Sequence, residues 1–195
     1  MSQRWWRVVC LTVAALSAGG CTVKSQSVRV APPVTVNGAE AERSSRTVAV
    51  AAFDVRADQK LGIITDAHDR TVDVATAGDV PAALLDSVSQ GLVRSGFKTK
   101  ALGNDDPATL QVELQELTFN ALKRPLDFDV ALKVIISARA RNGSDSYDRT
   151  YTVSQQKLAG APPSSTETTQ MVNSAIGFAL SDMLADKELT NLLTR

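Results

Sequence analysis

Apolar and polar positions change their rhythm several times between Thr47 and the last residue, and each change predicts an element. Thr47–Val55 (TVAVAAFDV) places Val48, Val50 and Phe53 in one run and predicts a buried strand. Residues 56–70 are polar, with Gly62 and several aspartates, and read as a loop. Val72 and Val74 then alternate in a short strand over Thr71–Ala75. Val80, Leu84, Val88 and Leu92 recur at helical spacing after Asp79, a good N-cap, and Pro81, which fits a first turn. Gly96 closes this helix, and Phe97 can fold back on its apolar side. Leu110, Val112 and Leu114 alternate with glutamine and glutamate, but Leu117 and Phe119 continue one residue out of step. That slip predicts a β-bulge near Gln115–Glu116. Phe128 to Ala138 is the longest alternation, and Asn142-Gly143 marks a turn, more than two residues long, into a strand over Tyr147–Gln155. Ser164 and Glu167 have capping-box spacing ahead of Val172, Ile176, Ala179, Leu180, Met183 and Leu184. A last turn or two, Lys187–Leu193, packs Leu189 and Leu192. The expected fold is α+β: a mostly antiparallel sheet with two amphipathic helices packed on one face.

The residues before Thr47 have a different character. Arg4 and Arg7 precede an apolar run, Val8–Ala18, which is followed by Ala18-Gly19-Gly20-Cys21. A positive start, a short apolar core and small residues make a secretory signal, too short to span a bilayer. The last four residues are similar to a lipobox, with Ala18 where leucine is usual. Residues 1–20 are therefore expected to be a lipoprotein signal peptide, and Cys21 the acylated N-terminus of the mature chain. Several acyl chains together anchor a protein stably at a membrane surface. Thr22 in place of aspartate implies outer-membrane sorting, by likeness to the known rule. Residues 21–46 are expected to be a lipidated N-terminus and flexible tether, being polar, small and proline-containing. Residues 47–195 make the single periplasmic domain.

Composition narrows the chemistry. The 195-residue chain has 21 basic and 21 acidic side chains, one histidine and two cysteines. Removal of residues 1–20 takes away Arg4, Arg7, Cys10, Trp5 and Trp6, which leaves 19 basic against 21 acidic residues and no tryptophan. No basic stripe for nucleic acid remains. No phosphate loop, G-x-S-x-G elbow or zinc-ligand set is present. His68, in the run Thr65-Asp66-Ala67-His68-Asp69-Arg70, reads as a solvated loop residue, and neither metal nor cofactor is expected. A hydrolase would need paired carboxylates in a cleft, such as Asp66 with Asp69. Asp54, Arg56 and Asp58 alternate at the end of the first strand and, if all three face one way, make a charged row able to bind a partner.

The run Asp54–Thr65 (DVRADQKLGIIT) resembles the Asp-x-Arg, Asp-Gln, Leu, Thr segment of the YajG family of Gram-negative outer-membrane lipoproteins. The likeness continues in order through Val28–Val36, Arg94-Ser95-Gly96-Phe97, Leu110–Leu117, the strand before Asn142-Gly143, and Val172-Asn173-Ser174. The resemblance implies an outer-membrane-anchored periplasmic lipoprotein and carries no catalytic residues. The expected function is a non-enzymatic binding or adaptor module of the cell envelope. It would touch the membrane through Cys21 and an envelope protein through the open sheet face, a sheet edge or Asp54, Arg56 and Asp58. The alternative is an accessory lipoprotein of an envelope lipid-transport complex, which requires an apolar groove or a transporter partner. No oligomeric state follows from the sequence.

Overall fold

The computed structural model describes residues 25–36, 46–66 and 68–195. The expected signal peptide, residues 1–20, Cys21 and part of the expected tether lie outside them. Along the chain come β1 (Gln26–Arg29), β2 (Thr47–Asp54), β3 (Lys60–Thr65), β4 (Thr71–Ala77) and α1 (Val80–Arg94). They are followed by β5 (Lys98–Ala101), β6 (Ala108–Lys123), β7 (Phe128–Asn142), β8 (Asp145–Ala159), α2 (Ser165–Ala185) and α3 (Lys187–Thr194).

Three long strands make the frame. β6, β7 and β8 pair antiparallel over their whole lengths, with Leu110 opposite Ala140 and Ile136 opposite Tyr151. The expected bulge is present: the register shifts between Leu114 and Glu116, which returns Leu117 and Phe119 to the inner face. The turn between β7 and β8 is tighter than expected. Only Gly143 and Ser144 lie between the paired Asn142 and Asp145, and Gly143 has φ +59, as the first central position of a type II′ turn requires.

The free edge of β6 is shared by two smaller sheets placed end to end. β2 runs beside its first half with β5 outside, and β3 meets its second half at Ile64–Ala121, with β4 and then β1 beyond. This corrects the expected mostly antiparallel sheet. The eight-stranded sheet is mixed, with β1–β4, β2–β5, β2–β6 and β3–β6 all parallel. The physical reason is the crossover: α1 carries the chain back along the sheet, so β5 enters in the same direction as β2.

Two further expectations change. Residues 56–70 contain a strand, β3, held to β4 around a bulge at Gly62. A Cβ at Gly62 would come within 2.2 Å of the Phe119 carbonyl oxygen, so only glycine allows this approach to β6. The expected tether, residues 21–46, is built into the domain wherever it is described. β1 pairs with β4, and Val28, Val30 and Val34 are buried in the same core as the helices.

The helices pack on one sheet face, over Leu110, Val112, Leu114, Val130, Val134 and Ile136. α1 begins with the Asp79 side chain accepting from the Ala82 amide. It ends in a Schellman motif, in which the Phe97 amide donates to the Leu92 carbonyl and the Gly96 amide to Val93. Ser164 and Glu167 form the predicted capping box of α2. The last turns form a distinct third helix, α3, started by Asp186. Among the described residues no helix is long and apolar enough to cross a membrane.

Candidate functional site

The helix layer leaves the other face of the sheet uncovered. At its centre Gln111, Glu113 and Gln115 of β6, Ser137 and Arg139 of β7, and Asp148 and Thr150 of β8 line an open concavity of about 490 Å³. Alternation puts them there: their inward neighbours fill the core, so these side chains must face outward. They are tied across strands. Arg139 Nε donates to Asp148 Oδ1 at 2.7 Å, Gln115 Nε2 to Ser137 Oγ at 3.0 Å, and Ser137 Oγ to Glu113 Oε2 at 3.3 Å. Lys133 pairs with Glu116 at 2.8 Å nearby. The surface offers charges of both signs and amides, suited to a polar macromolecular surface.

The structure brings two members of the predicted charged row together. Arg56 Nε and Nη2 donate to the two oxygens of Asp54 at 2.8 and 2.7 Å, and Nη2 also reaches Thr76 Oγ1 on β4 at 3.2 Å. The guanidinium is almost fully buried, and its Nη1 has no hydrogen-bond partner. Asp58 stays outside the pair and accepts the Lys60 amide at 2.6 Å. The strand stops at Asp54, so the alternation that would align Asp58 is lost. Cys21, the predicted lipid attachment residue, lies outside the described residues.

The histidine loop is also resolved into its parts. His68 is exposed, while Asp66 is 1% exposed and accepts from the His68 and Arg70 amides and from Arg70 Nε at 2.8, 2.9 and 2.8 Å. Burial pushes the Asp66 carboxyl up, but these bonds outweigh it and hold the group below the ordinary carboxylate range. Asp69, at φ +61, pairs instead with Lys123 at 3.2 Å. Asp66 and Asp69 are thus engaged separately and do not form the hydrolytic pair. Among the described residues no cluster of three or more potential metal ligands occurs.

Two constellations were missed by sequence reasoning. Asp186 Oδ2 accepts from Tyr147 Oη, Tyr151 Oη and Arg149 Nη1 at 3.0, 2.8 and 2.8 Å, which ties the α2–α3 junction to β8. Burial, followed by the bond to Asp186, pushes the Tyr151 hydroxyl far above its ordinary value, so it stays protonated and donates to Asp186. The second is a strap, residues 30–36, lying over the helices. Asn173 bonds both the Ala31 amide and the Arg29 carbonyl, Ser87 Oγ donates to the Pro32 carbonyl, and Arg94 Nη1 donates to the Val34 carbonyl. A Cβ on Gly177 would lie 2.2 Å from the Pro33 oxygen, and one on Gly91 would lie 2.3 Å from Leu184 Cδ1 and 3.1 Å from Val34 Cγ1. Beside the strap, Pro33, Thr35, Gly177, Phe178 and Ala185 border a groove of about 530 Å³, with Phe178 61% exposed. The helical positions of Gly91 and Gly177 were one available signal for the strap.

Residues 32–194 match a family described as uncharacterized lipoprotein. The Escherichia coli K12 protein described as uncharacterized lipoprotein YajG is 22% identical over 179 residues, 91% of each chain. Its counterpart in Escherichia coli O6:H1 has the same identity and coverage. Protein XCC0632 from Xanthomonas campestris shares the fold at a TM-score of 0.52 and 20% identity, over 87% of this chain and 96% of its own. A second solved structure, of an uncharacterized protein, has a TM-score of 0.51 at 8% identity, over 82% and 97% of the respective chains.

Proposed function

The chain belongs to the YajG family of uncharacterized lipoproteins, and from that premise we propose that it is a non-enzymatic binding or adaptor module of the cell envelope. Cys21 carries the lipid, and the domain stands at the outer membrane facing the periplasm. The observation that supports this reading is the uncovered sheet face. A protein of this size buries one side of its sheet under three helices and leaves the other with cross-linked polar side chains around a shallow concavity. Such a face suits a protein partner read by charge and shape. Asp54, Arg56 and Asp58 border a separate concavity beside the start of α1, a second polar surface open to a partner.

Site-specific photocrosslinking in intact cells tests it. A photoreactive residue at Thr150, on the open face, is expected to give one reproducible protein adduct that Arg139→Glu abolishes. The same probe at Gln90, on the exposed side of α1, is expected to give none. No adduct at Thr150, or equal adducts at both positions, overturns the reading.

The second reading, an accessory lipoprotein of lipid transport, draws support from the apolar groove at Phe178. It expects phospholipid to co-purify with the acylated protein and to be lost in Phe178→Asp. Absence of bound phospholipid removes it.

A further inference from the structure

We propose that the end of the domain at which β1 begins rests on the membrane that holds the anchor, with Leu126 inserted at the lipid head groups and Leu122 and Leu158 beside it. The inference rests on the reading of Cys21 as the lipid attachment site. Gln26, the first residue of β1, is five residues beyond Cys21. Even fully extended, five residues span at most about 18 Å. The edge of the sheet where β1 starts is therefore held close to the bilayer.

Strand register shows what shares that end. Gln26 lies opposite Val74 of β4, and the start of β4 at Thr71 lies opposite the end of β3 at Thr65. Ile64 of β3 lies opposite Ala121, near the end of β6. Lys123 then faces Phe128 across the β6–β7 turn, and Phe128 faces Ala159 at the end of β8. The Gln26 side chain donates to the Pro163 carbonyl just before α2.

This end carries an unusual surface. Leu126, in the turn between β6 and β7, is 95% exposed, with Leu158 at 61% and Leu122 at 45%. Leu122 and Leu158 flank Asp129 on the uncovered face, while the turn itself is closed by the Arg124 amide donating to the Asp127 carbonyl at 2.7 Å. Turns of this kind are ordinarily filled by glycine, asparagine, aspartate or serine. A leucine at the tip has no packing role inside the domain.

Three pairs of the surrounding charges offset one another: Arg70 with Asp66, Lys123 with Asp69, and Arg124 with Asp129. The contact is therefore chiefly apolar and should depend weakly on salt, with the long basic side chains able to lift their charges toward phosphate. One inserted leucine binds weakly alone, but the anchor makes the event intramolecular, so a weak contact suffices to orient the domain.

The mature chain lacks tryptophan, which makes a clean reporter possible. The acylated mature protein, carrying Leu126→Trp or Val93→Trp, is placed in vesicles of phosphatidylethanolamine and phosphatidylglycerol with and without bromine-labelled acyl chains. Val93 is also exposed, on α1 near the opposite end. The expected result is blue-shifted emission for Leu126→Trp and at least threefold stronger quenching by bromolipid than for Val93→Trp. Equal quenching of the two variants overturns the proposal. A blue shift without bromolipid quenching also overturns it, because the patch then packs against protein, such as a second copy. Intact mass is read on the same samples. An unmodified Cys21 overturns the anchor reading itself, which is distinguishable from an acylated protein whose two reporters quench alike.

Discussion

Asp186 concentrates more of the fold's polar accounting than any other single residue described. One oxygen receives Tyr147, Tyr151 and Arg149, and the other caps α3 through the Glu188 and Leu189 amides. Burial alone would raise its carboxyl above the ordinary 3.8, but the tyrosine and amide hydrogen bonds outweigh it and lower the group. A carboxylate lowered in the folded state stabilises that state above its unfolded value. The contribution is lost as pH falls through the lowered folded value. Asp186→Ala should therefore cost about 2–4 kcal/mol near neutral pH, from a lost cap and stranded tyrosine hydroxyls. In urea unfolding the gap to the wild type should narrow below about pH 4. A gap that is the same at pH 7 and pH 3 contradicts the ionised hub. The features that sequence reading found at this scale are local: Asp79 caps α1 and Ser164 forms its capping box because each acts within three residues. Tyr147 and Tyr151 are 39 and 35 residues from Asp186, a pairing no spacing rule reaches. Asp58 failed to join Asp54 and Arg56 for a related reason, since the strand geometry that would have aligned them ends at Asp54.

Among the elements, the strap and β1 differ most from expectation. Gln26, Val28, Val30, Pro32 and Val34 are all buried, a period of two that was visible in the sequence but masked by polar and proline residues between and among them. β1 and β5 are only four residues each and pair in parallel with strands far along the chain. Short strands of this kind carry little local signal, whereas β6 and β7 show their alternation and even their bulge over 16 and 15 residues. If the strap is structural, Gly177→Ala must push it away from α2. The expected cost is about 1–3 kcal/mol, as for other overpacked sites, with faster proteolysis within residues 30–36. Gly160→Ala meets nothing within 4 Å and should stay within about 0.5 kcal/mol of the wild type. Equal stability and equal protease resistance of the two variants would mean that the strap is a passive tether.

At the scale of the whole molecule the uncovered face and the family are consistent with the sequence, whereas the strand directions and the count of helices, three in place of two among the described residues, are not. Hairpin alternation dominated that reading, while the order β2, α1, β5 already contained the crossover that makes strands parallel. The larger consequence concerns reach. Twenty-five residues of tether would let the domain roam tens of Å from the bilayer, but on the proposed reading of Cys21 as the lipid attachment site, a strand starting five residues later holds one end of it near the surface. The same end carries Leu126, while the polar concavity lies farther along the uncovered face and stays open to solvent. Neutron reflectometry of the acylated protein on a supported bilayer measures this most directly. Protein density should begin within about 18 Å of the head groups, as a linker of five residues allows. A water-filled gap wider than that, beneath a protein whose mass shows Cys21 acylated, would contradict it.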